Sequence, residues 1–159
     1  MNDILVPILS AADAAWAASQ AIALHRSDPS VRCILLNVQR PLPRHVSQFF
    51  NRNDLRAFHQ ESGVRVLEPA VRMLDEAGVP HEDHVLVGHP AEAIVQFAEE
   101  RGCRHVIVDA PATGVLSTFG LGSVGSQVRH LMESHAAVAP MAVTPVAVAP
   151  EVGVRIPPG

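Results

Sequence analysis

Short apolar runs alternate with amphipathic stretches from one end of this chain to the other, and that rhythm restricts the fold more than any single motif. Asp3 to Leu9 (D-I-L-V-P-I-L) and Val31 to Val38 (V-R-C-I-L-L-N-V) are nearly continuous apolar runs of strand length. Between them Ala11 to His25 is Ala-rich, with Trp16, Ile22 and Leu24 among its apolar positions, and that composition favours helix. From about Asn53 to Ala77, Leu55, Phe58, Leu67, Val71 and Leu74 recur near helical spacing, and Gly78 followed by Pro80 ends the run. The second half repeats the pattern. His84 to Val87 reads as a short third strand, and Pro90 opens a helix that Ala91 to Glu100 continue and Gly102 caps. Arg104 to Val108 is a fourth strand, Ser123 to Ser134 a fourth helix, and Val138 to Val148 a fifth extended segment. Strands alternating with helices predict an α/β fold: a doubly wound, Rossmann-like parallel sheet with helices on both faces. Ligands of such sheets bind outside the carboxyl ends of the strands, at the switch point. That rule singles out Ile8 to Ala11, Val38 to Arg40 and Asp109 to Ser123.

The length of 159 residues predicts one domain, placed over 1–148, with 149–159 as an extended or disordered tail. Sixteen Asp and Glu face twelve Arg, and the net charge of −4 argues against nucleic-acid binding. The chain has no Lys, which excludes a P-loop lysine and a Schiff-base lysine. No apolar run reaches the roughly 20 residues that span a bilayer, so no membrane association is expected. Cys33 and Cys103 lie in or beside predicted strands and read as buried free thiols. With no secretion signal before the first strand, a reducing, cytoplasmic setting is expected.

The stretch from Val106 to Val128 joins an apolar strand to a loop rich in Gly, Ser and Thr, and the loop ends in Gly122-Ser123-Val124, where a helical pattern begins. A strand, a small-residue loop and a helix N-terminus form the geometry that cradles phosphates. Ile4-Leu5-Val6-Pro7, then Gly88-His89-Pro90-Ala91-Glu92-Ala93-Ile94, then Gly122-Ser123-Val124, in this order and spacing, resemble the universal stress protein family over about residues 2 to 146. The resemblance implies a five-stranded sheet in the order 3-2-1-4-5 and a homodimer. It also implies a nucleotide crevice touched by Pro7, Val38, Gly114, Gly122, Ser123 and Val124. Three positions depart from the ATP-binding pattern Gly-x2-Gly-x9-Gly-Ser/Thr and its adenine contact, and all three are expected to oppose ATP. Leu9 stands where the family carries an Asp, and it cannot accept a hydrogen bond from an adenine amino group. Asp109 replaces the first loop glycine; two like unit charges about 4 Å apart at a surface-like dielectric repel by roughly 4 kcal/mol. Ala112 replaces the second and adds a Cβ where backbone approaches a ligand. Gly114, Gly120 and Gly122 keep the loop flexible, and Ser117, Thr118, Ser123 and Ser126 supply hydroxyls. Ser123 alternatively does no more than cap its helix.

Three further groups stand out. Residues 40–59 carry Arg40, Arg44, Arg52 and Arg56 against Asp54 alone, a local charge of +3 that leaves −7 for the rest. His45, His59, Phe49, Phe50 and Phe58 share that stretch, which reads either as a flap over the crevice or as a solvated loop with its phenylalanines packed on the core. His81, His84 and His89, with Glu82 and Asp83, are the nearest approach to a metal set, but no partner set completes a tetrahedral site, and no metal is expected. Ser117 or Ser123, His105 or His130, and Asp109 could be named as a hydrolytic set, yet nothing in the spacing joins them and no G-x-S-x-G occurs. The expectation is therefore a non-enzymatic regulatory or interaction module without typical ATP binding. It needs no cofactor, dimerises through the C-terminal edge strand and meets an unknown protein partner. The alternative is a nucleotide-binding switch of altered specificity built on Gly122 and Ser123, and a third reading is a weak hydrolase.

Overall fold

Each of the first two strands buries both of its faces. In the computed structural model, which describes residues 2–103, 105–108, 123–138 and 144–146, Ile4, Val6 and Ile8 point into one apolar cluster and Leu5 into another. Cys33 and Leu35 join the first cluster, and Ile34, Leu36 and Val38 the second. That is why these runs are continuous in apolar residues instead of alternating. They form β1 (Asn2–Pro7) and β2 (Val31–Gln39), followed by β3 (His81–Val87), β4 (His105–Ile107) and β5 (Thr144–Val146). The sheet order is β3-β2-β1-β4-β5 and every pairing is parallel. Helices α1 (Ala11–Ser27) and α3 (Arg52–Glu76) pack on the first cluster, and α4 (Pro90–Arg101) and α5 (Ser123–Val138) on the second. A short α2 (Arg44–Ser47) lies between β2 and α3.

Small residues set the spacing between layers. Ala14, Ala17, Ala18 and Ala21 line the buried face of α1. On α3, Gly63 approaches Val85 of β3 so closely that a Cβ there would lie 2.5 and 2.6 Å from the two methyls. Gly78 and Gly102 follow α3 and α4 with φ of 70° and 68°, a left-handed turn that glycine adopts without strain. Val79 N–H then donates to the Leu74 carbonyl, and Cys103 N–H to the Ala98 carbonyl, both at 2.8 Å.

Charged side chains fasten the amino ends of the strands. Arg32 of β2 meets Asp3 of β1 at 3.1 Å and Glu82 of β3 at 3.2 Å, while Arg101 at the end of α4 reaches Glu82 at 2.6 Å. Burial pushes the Glu82 carboxyl up, but Arg101 and then Arg32 outweigh it and hold Glu82 below its ordinary range. His81 is nearly enclosed; its Nδ1 lies 2.6 Å from Asp83 and its Nε2 2.8 Å from Asp75 of α3. Burial disfavours the imidazolium, and the two carboxylates overcome it and raise its pKa. Cys33 and Cys103 are buried free thiols, and burial pushes Cys103 up to about 12, so it remains a protonated, unreactive core side chain.

Several boundaries differ from the sequence reading. β3 begins at His81 instead of His84 and α5 runs to Val138 instead of Ser134, whereas α3 is one uninterrupted helix through Pro69, as read. Phe49, Phe50 and Phe58 are exposed, not packed on the core. The tail at 149–159 lies outside the described residues. Among the described residues no helix is long and apolar enough to cross a membrane.

Candidate functional site

Helix α1, which follows β1, and helix α5, which follows β4, pack on opposite faces of the sheet, so the switch point falls at the carboxyl ends of these two neighbouring strands. The turn after β1 is held from both sides. Ile8 N–H donates to the Leu36 carbonyl at 2.8 Å, and the fully buried Asn37 side chain donates from Nδ2 to the Ile8 carbonyl at 2.8 Å. Gln39 Nε2 donates in turn to Asn37 Oδ1 at 2.7 Å. Asn37 is therefore a positioning residue that sequence reasoning passed over; its signal was a single amide inside an otherwise apolar strand.

That clamp presents Leu9 at the rim of a groove of about 430 Å3, together with Val38, Arg40, Leu42, Phe58 and His59. A second cavity of about 280 Å3 adjoins it, sharing Arg40 and Pro90, and is lined further by His89, Glu92, Val124 and Gln127. The N-terminal turns of α4 and α5 both face this second cavity through Pro90 and Val124. Arg40 is exposed and makes no ion pair among the described residues. The Nδ1 of His59 is buried without a hydrogen-bond partner.

Of the expected site residues, Val38 and Leu9 line the larger groove and Val124 the smaller cavity. Pro7 is buried as the last residue of β1, and Ser123 is the first residue of α5. Asp109, Ala112, Gly114 and Gly122 lie outside the described residues, as do Ser117, Thr118 and Gly120. Of the remaining hydrolytic candidates, His130 is exposed on α5, and His105 sits in β4 with a buried, unpartnered Nδ1. Among the described residues no three His, Cys, Asp or Glu side chains are placed to hold a metal. His81 is engaged by its two carboxylates, and His84 faces Glu82 and Arg101.

Comparison with known proteins agrees with this architecture. The model of the universal stress protein family matches residues 1–140. A curated relative from Thermus aquaticus, a universal stress protein in the QAH/OAS sulfhydrylase 3' region, is 32% identical over 127 residues, covering 75% of this chain and 81% of its own. The solved structure of the hypothetical protein MJ0577 superposes with a TM-score of 0.58 at 27% identity, over 80% of this chain and 87% of that one. A universal stress protein solved in complex with cAMP superposes with a TM-score of 0.54 at 18% identity, over 94% and 98% of the two chains. The strand order, the helix pairs on each face and the match over residues 1–140 together establish that this chain belongs to the universal stress protein family.

Proposed function

We propose that the chain is a non-enzymatic regulatory module of this family, acting as a dimer through protein contacts and not holding ATP in the family's usual way. One observation carries the reading: the end of β1 offers the hydrocarbon of Leu9 to the groove, beside Val38 and Leu42. An adenine placed there would lose hydrogen bonds to water and regain none from that side chain. The test is calorimetry with magnesium-ATP. The expected dissociation constant is on the order of 1 mM or poorer, equivalent to about −4 kcal/mol. Micromolar binding refutes the reading. Asp109→Gly, by removing a like charge, should tighten binding of any phosphorylated ligand.

A second reading, a nucleotide-binding switch of altered specificity built on Gly122 and Ser123, has one observation in its favour. Arg40 and the first turns of α4 and α5 converge on the smaller cavity and favour an anion there, against the one carboxylate of Glu92. The fold neighbour in complex with cAMP is in keeping with it. Nucleotide copurifying with the protein, found by mass spectrometry of the denatured sample, would favour this second reading over the first.

A further inference from the structure

The segment from Arg40 to His59 turns its three phenylalanines and its four arginines outward. Phe49 is 78% exposed, and Phe50 and Phe58 are each 46% exposed. Single exposed apolar residues are ordinary, but three exposed phenylalanines within ten residues are not. Arg40, Arg44, Arg52 and Arg56 are exposed and, among the described residues, enter no ion pair, whereas Arg32, Arg72 and Arg101 all do. The segment carries +3 in a chain of net −4. Phe58 also walls the groove of about 430 Å3, and on the same wall stands His59, only 7% exposed, with its Nδ1 unpartnered. A flat anionic surface would meet the arginines and Phe49 but leave the groove unfilled. An extended chain segment can satisfy both.

We propose that residues 40–59 and the groove behind them form a docking surface for an acidic protein segment carrying a large apolar side chain. The apolar side chain enters between Leu9, Val38, Leu42 and Phe58. Carboxylates on either side of it meet Arg44 and Arg52, and Phe49 and Phe50 exclude water from those pairs. This deepens the reading of the chain as an interaction module and rests on it.

The probe is a fluorescein-labelled synthetic peptide of Asp and Glu around a central Leu-Trp pair, titrated with the full chain and followed by anisotropy. Binding is expected with a dissociation constant on the order of 10 μM at about 50 mM salt, weakening roughly tenfold at about 300 mM. Replacing Phe49 and Phe50 together by Ser should weaken it by about tenfold, and Arg44→Glu with Arg52→Glu by more, since hot-spot contacts of this kind dominate small interfaces. These positions are exposed, so unchanged thermal melts will show that the variants fold. The same peptide with Lys for every acid should not bind. A dissociation constant poorer than about 1 mM for the acidic peptide, or equal binding of the Lys peptide, overturns the proposal. So does binding to phosphatidylserine vesicles without peptide binding, which assigns the surface to a membrane. Self-association lost in the same variants, again without peptide binding, assigns it to a second copy. Magnesium-ATP calorimetry keeps the two readings apart: tight ATP with tight peptide overturns only the proposed function, and weak ATP without peptide binding overturns only the docking surface.

Discussion

Replacing Gly63 by Ala tests the packing of helix on sheet directly. An alanine Cβ would stand 2.5 and 2.6 Å from the Val85 methyls and 3.0 Å from Asn37 Oδ1. Carbon atoms in contact prefer about 3.5–4.0 Å, so the overlap is about 1 Å. Val85 is β-branched and has few rotamers to retreat into. Asn37 is fixed by its bonds to Ile8 and Gln39. Ala gains about 1 kcal/mol over Gly in a helix, and forcing a methyl into a packed site costs about 1–3 kcal/mol. Because the obstruction includes a stiff side chain and a buried amide, the upper part of that range applies, for a net loss of about 1–2 kcal/mol. Val85→Ala removes both close methyls. In that background only the 3.0 Å approach to Asn37 Oδ1 remains, so the same Gly63→Ala change should cost less by at least about 1 kcal/mol. Urea denaturation by circular dichroism at fixed protein concentration measures all four proteins. Equal costs in the two backgrounds, or a gain in the parent, would refute the packing argument.

The His81 cluster predicts a pH dependence. Because its folded pKa is raised above the ordinary 6.5, the stabilisation it gives is complete below that value and fades as pH climbs through the folded pKa. Urea melts across this window should lose that slope in His81→Gln, and an unchanged slope would count against the cluster. The dimer proposal follows from β5, which lies at the sheet edge and contains Pro145, a residue without an N–H. Sedimentation should find a dimer for the full chain and a weakened one for a chain ending at Thr144; a full-length monomer at micromolar concentration would remove the interface. Amide hydrogen exchange should be fast over 40–51, where α2 is one short turn with no buried residue, and strand-like protection there would show a packed segment.

Much of this architecture was legible because it is written in local signals. Both faces of β1 and β2 are buried, so apolar continuity located them, and Gly78, Pro90 and Gly102 marked helix ends through backbone chemistry alone. What escaped reading depends on partners distant in the chain. His81, Glu82 and Asp83 look like turn residues until Arg101, Arg32 and Asp75 arrive to pair with them, so β3 was begun three residues late. Of the two readings of 40–59, the one that packs its phenylalanines on the core fails, because an apolar residue in the sequence does not say whether the sheet reaches it. At the candidate site, Leu9 and Val38 were found by the switch-point rule. Asn37 was not, because the carbonyl it holds becomes a neighbour only after β1 and β2 pair.

The fastenings and the crevice occupy opposite ends of the same strands. Arg32 and Val38 are six residues apart on β2, roughly 20 Å at strand rise. At that distance substitutions act independently, and their stability effects add. Leu9 or Arg40 can therefore change without loosening the Asp3–Arg32–Glu82–Arg101 chain that aligns three strands and a helix. Selection can rewrite what this sheet recognises while leaving untouched what lets it fold, and a lineage that abandons one ligand keeps a sound scaffold on which to acquire the next.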